Sequence, residues 1–208
     1  MTIESAPPTP RRHVVISGTG RAGTTFLVAF LTRLGLDTGF SESDLALDEV
    51  SRAGLEHDIR KRKNVPYVVK SPWLCVHIAE VLARPDIVIE HAIIPVRNID
   101  DAAASRAFVV REAGGPAPGG LWRTDDPAEQ AAVLLRLEHA LIEQLLAADI
   151  PITLLHFRRL IADPGYLFAK LAFLAPRATQ ADFERAFHRT IRPNWVHDFS
   201  AGTSAHAS

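Results

Sequence analysis

The amino-terminal region contains glycines and hydroxyl side chains at the spacing of a phosphate-binding site. Residues 17–25, the phosphate loop, follow an apolar β-branched stretch at 14–16 and lead into an apolar pattern of helical spacing. Within the loop, Gly18, Gly23 and Thr25 match the pattern Gly-x-x-x-x-Gly-Lys-[Ser/Thr]. Glycines let the backbone turn tightly, and the free N–H groups and positive dipole end of the following helix attract anions. The stretch therefore predicts a strand, a phosphate-binding loop and a helix.

One departure from this pattern changes the predicted ligand. The lysine position is occupied by Thr24, and the cation of the loop is Arg21. A nucleoside triphosphatase uses the lysine on its β- and γ-phosphates, with Mg²⁺ on the hydroxyl. Because that lysine is missing, we expect a phosphate ligand whose far end is not a γ-phosphate on Mg²⁺, and we expect no metal. The alternative is a glycine-rich turn that binds nothing.

A second pair of polar residues is placed to bind another phosphate. Arg97 follows the apolar stretch 93–96, and Ser105 lies eight residues later on a predicted helix. An arginine at the carboxyl end of a strand and a serine from the next helix can bind the same phosphate, the guanidinium in a bidentate fork. The alternative is that Arg97 pairs with Asp100 or Asp101.

These motifs resemble those of sulfotransferases that use 3′-phosphoadenosine 5′-phosphosulfate (PAPS). The sequence Arg-Ala-Gly-Thr-Thr at 21–25 is similar to the family's 5′-phosphosulfate loop, which reads Arg-Ser-Gly-Thr-Thr in tyrosylprotein and many bacterial members. Residues 97–105 resemble the 3′-phosphate motif, Arg-Asn-Pro-x-Asp followed by a serine, with Ile99 in the proline position. Lys-Ser-Pro at 70–72 resembles a strand that ends in Lys-x-Pro, and a weaker likeness covers 154–164.

The resemblance implies transfer of a sulfuryl group from PAPS to a hydroxyl or amine of a small-molecule acceptor, without a metal ion. The second product is adenosine 3′,5′-bisphosphate. Arg21 is implied to hold the 5′-phosphosulfate, and Lys70 to stabilise charge on the bridging oxygen of the donor. The residues implied to bind the donor are Gly20, Arg21, Ala22, Gly23, Thr24, Thr25, Arg97 and Ser105.

The reaction also needs a base that deprotonates the acceptor. In tyrosylprotein members a glutamate follows the loop arginine at a separation that corresponds here to Glu42. The rival acids are Asp44, Asp48 and Glu49. His77 is a further rival, because many cytosolic members use a histidine just after the lysine.

Two other functions compete with this interpretation. The first is a metal-dependent P-loop nucleotide kinase, although Thr24 stands where a kinase needs lysine and no predicted strand plainly ends in an acid for Mg²⁺. The second is a non-catalytic nucleotide-binding module, because Ala22 and the basic pair Arg158-Arg159 depart from the sulfotransferase pattern. The presence of Lys70 argues against such a module.

Predicted strands alternate with predicted helices along the chain. This order indicates parallel βαβ units, and it predicts a P-loop-type three-layer α/β sandwich with a mainly parallel sheet of four or five strands covered by helices. The strands are predicted at 14–16, at 65–70, at 87–89 or 92–96 within the apolar run 87–96, and at 152–157. The third run is long enough to contain a break at Glu90 and His91. Gly18, Lys70 and Arg97 then fall at the carboxyl ends of strands, where such sheets bind ligands.

The composition indicates one ordinary globular domain. With 208 residues, 47% apolar and 23% charged, the chain is long enough for a substantial core. We expect a flexible leader at 1–12, a single domain at 13–200 and a disordered tail at 201–208. The net charge of −1 and the lack of an apolar run near the ~18 residues of a membrane span predict no nucleic-acid or membrane partner. We expect a cytoplasmic monomer or homodimer.

Three further segments are of interest around the predicted site. Residues 114–120, the glycine-rich segment, predict either a mobile lid over the acceptor pocket, with Trp122 as an apolar wall, or an ordinary surface loop. Asn194 and Trp195 are predicted to close the site from the carboxyl-terminal side. A helix is predicted from Leu45 to the basic run at 60–63, from the spacing of its leucines and valine.

Overall fold

A computed structural model describes residues 9–45, 54–61 and 64–191 of the chain. In this part of the chain, a parallel four-stranded sheet lies at the centre, in the order β2-β1-β3-β4. The strands are β1 Arg11–Ile16, β2 Val68–Lys70, β3 Ile87–Val96 and β4 Ile152–His156. Because β1 pairs with both β2 and β3, its apolar residues 14–16 are buried on both faces, as their composition predicts.

Seven helices surround the sheet in the described residues. They are α1 Thr24–Arg33, α2 Leu74–Leu82, α3 Ile99–Glu112, α4 Gln130–Ala147, α5 Phe157–Leu160, α6 Pro164–Leu171 and α7 Gln180–Thr190, with short 3₁₀ turns at Glu42–Asp44 and Ala172–Leu174. None of them is long and apolar enough to cross a membrane. The predicted helix from Leu45 to the basic run at 60–63 is wrong in its described part, because residues 54–61 form no helix and instead fold back over the end of β2. Residues 46–53 of that prediction, and the predicted closing residues Asn194 and Trp195, lie outside the described residues.

The helices form two layers, one on each face of the sheet. Side chains alternate along β1, so that Val14 and Ile16 join the core formed with α1, α6 and α7, whereas Val15 joins the core formed with α2 and α4. In the first core, the buried rings of Phe30 and Phe183 pack edge to face with their centroids 5.6 Å apart. The predicted three-layer α/β sandwich is therefore confirmed.

The long apolar run at 87–96 forms one strand rather than two short ones. Its pairing with β1 shifts register between His13, which is opposite Ile89, and Val14, which is opposite His91. Glu90 is the extra residue of a β-bulge, so the feature that suggested a break marks a bulge instead. At its amino-terminal end, β1 begins at Arg11, so that the last two residues of the predicted leader belong to the sheet.

The carboxyl ends of the strands meet at one edge of the sheet because all four strands are parallel. The residues that follow β1 and β2 are joined there, since the Ser17 hydroxyl donates to the Ser71 carbonyl at 2.9 Å. The Ser17 N–H donates to the Ile93 carbonyl at 3.1 Å, which ties the start of the phosphate loop to β3. The phosphate loop, Lys70 and Arg97 are therefore all presented from this edge, where parallel sheets bind their ligands.

Candidate functional site

The phosphate loop joins β1 to α1 through a series of left-handed backbone conformations. Gly18, Gly20 and Gly23 have φ values of 124°, 65° and 90°, which L side chains rarely adopt. A side chain would also meet its neighbours, since a Cβ on Gly20 would lie 2.7 Å from Arg106 Nη2 and one on Gly23 would lie 2.9 Å from Leu160 Cδ2. The positive φ values and the neighbouring side chains therefore both favour glycine at positions 20 and 23.

Arg21 adopts a left-handed conformation although it is not a glycine. Its φ of 56° costs free energy that the surrounding contacts must offset, and such residues cluster at ligand-binding sites. The neighbouring Ala22 is fully buried, so its methyl group packs inside the protein. Gly23, the residue before α1, provides no side-chain cap, and the first turn of α1 contains no acid. The first N–H groups of this ten-residue helix are therefore suited to an anion.

The structure joins the phosphate loop directly to the second predicted motif. Arg97 Nη1 donates to the Arg21 carbonyl at 3.0 Å, and Arg21 Nε donates to the Ser105 hydroxyl at 3.0 Å. Ser105 is buried on α3, and the Arg97 guanidinium lies 4.7 Å from the ring centroid of Phe157. Arg21 therefore contacts both Arg97 and Ser105, the two residues predicted to bind the other end of the nucleotide.

Lys70, at the end of β2, is the most buried cation of the site, with only 3% of its side chain exposed. Its ammonium group donates to Thr25 Oγ1 at 2.7 Å, to the Gly54 carbonyl at 2.6 Å and to Glu56 Oε1 at 2.7 Å. Burial lowers the pKa of Lys70, the Glu56 carboxylate opposes this shift, and the charge of Arg21 adds to it. The structure thus brings together Lys70 and Thr25, both predicted site residues, and adds Glu56.

Glu56 was not predicted from the sequence. Its segment folds back over the end of β2, where the His57 N–H donates to the Lys70 carbonyl at 2.9 Å. The Gly54 N–H donates to Glu56 Oε1 at 3.2 Å, which fixes the carboxylate beside the lysine. With 22% of its side chain exposed, Glu56 remains partly open to solvent. Nothing local in the sequence signals this position, because the contact depends on how the chain returns to the sheet.

Glu42, the predicted base, lies on the 3₁₀ turn Glu42–Asp44 and is half exposed. Its carboxylate forms an ion pair with Arg189 on α7. Of its predicted rivals, Asp44 caps the same turn, because its Oδ2 accepts from the N–H and the hydroxyl of Ser41. His77 Nδ1 lies 3.6 Å from Glu80 Oε2 on the surface of α2. Asp48 and Glu49 lie outside the described residues.

Arg106 is a second residue that sequence reasoning missed. It is 6% exposed on α3, next to Ser105. Its Nη2 donates to the Thr19 carbonyl at 2.7 Å, and its Nη1 donates to the Gly120 carbonyl at 2.7 Å. Burial, followed by the nearby charge of Arg21, lowers the pKa of Arg106 to about 10. This guanidinium connects the phosphate loop to the end of the glycine-rich segment.

Trp122 contacts Arg106 just after the glycine-rich segment. Its ring lies 5.3 Å from the Arg106 guanidinium carbon. Its backbone is fixed by the fully buried Gln130, whose Oε1 accepts from the Trp122 N–H at 2.6 Å and whose Nε2 donates to the Trp122 carbonyl at 3.2 Å. Whether the glycine-rich segment moves as a lid stays a prediction, and in this structure its end is anchored beside the phosphate loop.

Like charges crowd around the phosphate loop. The charge of Arg21 lowers the pKa of both Lys70 and Arg106, and Arg97 contacts the Arg21 backbone. Glu56 contacts Lys70 on one side of this group. A polyanionic ligand would relieve the repulsion, so the arrangement suits a ligand with several phosphate or sulfate charges. Among the described residues, no group of three or more His, Cys, Asp or Glu side chains is arranged to hold a metal ion.

The fold and the site define a P-loop-type α/β protein whose loop is surrounded by cations. No family model and no curated protein sequence matches this chain. Among solved structures, it is similar to the sulfotransferase domain of the Synechococcus PCC 7002 olefin synthase, with a TM-score of 0.50, 15% identity, and coverage of 90% of this chain and 83% of that one. It is also similar to the sulfotransferase domain from the curacin biosynthetic pathway, with a TM-score of 0.51, 11% identity, and coverage of 86% and 79%. The chain therefore has the fold of sulfotransferase domains.

Proposed function

We propose that this protein is a sulfotransferase that moves a sulfuryl group from PAPS to a small-molecule acceptor. The observation that carries the proposal is the contact chain from Arg97 through Arg21 to Ser105. It unites the loop suited to a 5′-phosphosulfate with the pair suited to a 3′-phosphate. The likeness of the fold to two sulfotransferase domains supports the same reaction class.

The residues present fit a donor of this kind. The phosphate loop turns through glycines with positive φ values, and the first N–H groups of α1 would face the anionic end of the donor. Arg106 Nε is buried without a hydrogen-bond partner in the described residues, which is consistent with a cation that serves a charge outside the protein chain. In the proposal, Gly20, Ala22, Gly23, Thr24 and Thr25 cradle the 5′ end.

The proposed chemistry assigns different tasks to the cations and the acids. The donor supplies an activated sulfuryl group, whose bond to the bridging oxygen breaks as a new bond to the acceptor oxygen forms. Lys70 stabilises the charge left on the bridging oxygen, and Arg21 holds the transferred group in line. The acceptor hydroxyl gives its proton to a carboxylate, for which we propose Glu56 rather than Glu42, because Glu56 is the acid in contact with Lys70.

Calorimetric titration with adenosine 3′,5′-bisphosphate, beside ADP with and without Mg²⁺, tests this function. We expect micromolar binding of the bisphosphate without metal and weak binding of ADP, because only the bisphosphate offers a 3′-phosphate to Arg97 and Ser105. A preference for ADP with Mg²⁺ would favour a nucleotide kinase. Binding of neither nucleotide would contradict the proposal outright, and binding without turnover on any acceptor would favour a non-catalytic module.

Replacement of Arg97 by alanine should weaken binding of adenosine 3′,5′-bisphosphate by about tenfold or more, since a charge-assisted bidentate contact is lost. Binding of adenosine 5′-phosphosulfate, which lacks the 3′-phosphate, should change much less. Arg111→Ala is the matched control, because Arg111 lies on α3 with 72% of its side chain exposed. An unchanged dissociation constant in folded Arg97→Ala protein would remove Arg97 from the 3′-phosphate site.

A further inference from the structure

Glu138 interrupts the apolar face with which α4 packs against the sheet. Leu134, Leu141 and Leu145 on this face are fully buried. Glu138 lies among them, and its Oε1 is buried without a hydrogen-bond partner in the part of the chain that the structure describes. Burial raises the pKa of this carboxyl group, and no neighbouring charge contributes to the shift.

The orphaned oxygen lies at the edge of the sheet that carries the phosphate loop. A Cβ built on Gly18 would lie 3.7 Å from Glu138 Oε1 and 3.6 Å from the Pro95 carbonyl. Gly18 belongs to the phosphate loop. The hydroxyl of Ser17, the residue before it, donates to the carbonyl of Ser71, which follows Lys70. Glu138 therefore stands near the carboxyl ends of β1 and β3, close to where the donor and Lys70 are proposed to meet.

Glu138 also approaches this edge from a particular side. The phosphate loop leads into α1, which packs on one face of the sheet, whereas α4 packs on the opposite face with α2. An in-line transfer requires the acceptor on the side of the transferred group away from its leaving oxygen. An acceptor held by Glu138 would lie on the α4 side of the edge, opposite to the face on which α1 packs.

Glu138 is partly buried, and a structural role leaves its enclosed Oε1 unexplained. Burying a carboxylate oxygen without a partner costs free energy, and a leucine would continue the apolar face of α4. Gln130, on the same face, shows the contrast, because its amide bonds to Trp122 through both of its polar atoms. A buried polar atom without a hydrogen-bond partner in a folded protein requires an explanation, and a ligand-binding role is one such explanation.

We propose that Glu138 is the acceptor-recognition residue and that it binds a cationic amino group of the acceptor. A charged donor compensates a buried carboxylate better than a neutral hydroxyl does. The cations around the phosphate loop repel a cationic acceptor, so an acid is needed to hold it. Because an ammonium nitrogen has no free electron pair, the sulfuryl group goes to a separate hydroxyl, and the acceptor is an amino alcohol or an amino phenol. This inference rests on the proposed function.

Tyramine and 4-ethylphenol provide a matched pair of probes, because they share the phenol and the two-carbon chain and differ in the ammonium group. With protein saturated by adenosine 3′,5′-bisphosphate, and also without it, calorimetry should show tyramine binding at least tenfold tighter than 4-ethylphenol. In Glu138→Gln protein the two should bind within twofold of each other, with nucleotide affinity unchanged. Glu143→Gln, an exposed acid on the same helix, should keep the preference.

Glu138→Leu separates recognition from folding. We expect it to raise the midpoint of thermal unfolding and to abolish the tyramine preference, whereas a structural acid would lower the midpoint. Equal binding of the two probes to wild-type protein, or no detectable binding of either, would overturn the inference. Loss of the preference in Glu143→Gln protein would do the same. Failure of nucleotide binding in wild-type protein would instead overturn the proposed function, and that titration is independent of the probes.

Discussion

Replacement of Lys70 by alanine is expected to lower kcat by about 100-fold or more, because its charge is needed only as the bridging oxygen of the donor becomes negative. The dissociation constant of adenosine 3′,5′-bisphosphate should change by about threefold or less, since Arg21, Arg97 and Ser105 are proposed to carry most of the ground-state binding. Turnover would be followed as release of the bisphosphate with any acceptor that supports it.

The Lys70 experiment needs a check that the fold survives, because the variant leaves Glu56 and the Gly54 carbonyl without their shared donor. Thermal unfolding and nucleotide binding supply that check. Lys70→Arg keeps the charge and should recover part of the turnover, whereas Lys170→Ala, at an exposed position of α6, should behave as wild type. Wild-type turnover in folded Lys70→Ala protein would show that Lys70 only supports the phosphate loop.

The second large effect is expected at Glu56. Glu56→Gln should lower kcat by about 100-fold because it removes the proposed proton acceptor while it keeps the size of the side chain. Glu42→Gln should leave kcat within about twofold, since Glu42 is half exposed and pairs with Arg189. The comparison requires only steady-state turnover of the two variants and the wild type under the same conditions.

The two glutamate variants also show whether Glu56 acts as the base or only positions Lys70. If Glu56 merely positions Lys70, Glu56→Gln should retain most of its turnover, because the glutamine amide oxygen can still accept from the ammonium group. If Glu56 is the base, turnover should fall and its dependence on pH should change. A large loss in Glu42→Gln together with little change in Glu56→Gln would restore the sequence-based assignment of the base.

Local sequence was sufficient for the architecture and for the phosphate loop. Strands buried on both faces are visible as short apolar runs, and the positions of Gly18 and Gly23 follow from the backbone that the turn requires. Arg97 and Ser105 could be paired from their resemblance to the 3′-phosphate motif of sulfotransferases, and an arginine at a strand end and a serine on the next helix can bind the same phosphate. Here the structure confirms the fold and brings the predicted donor-binding residues together.

The remaining site residues depend on tertiary contacts that no local pattern encodes. Glu56 reaches Lys70 only because residues 54–57 return to β2, and Arg106 is a charged residue in mid-helix whose burial depends on packing against two loops. Glu138 is similar, since an acid on a long helix ordinarily faces solvent. The separation in sequence that suggested Glu42 gave no information about its partner on α7.

The three hydrogen-bond acceptors around the Lys70 ammonium group have a consequence for the proposed catalytic cycle. Thr25, Gly54 and Glu56 already use the hydrogen-bonding capacity of the ammonium group, so a bound donor must exchange with at least one of them. The same groups are ready to take Lys70 back when the sulfuryl group has left. In the proposed reaction, the nucleotide product would then compete with Thr25, Gly54 and Glu56 for Lys70, which would shorten its residence and favour rapid turnover over tight retention of product.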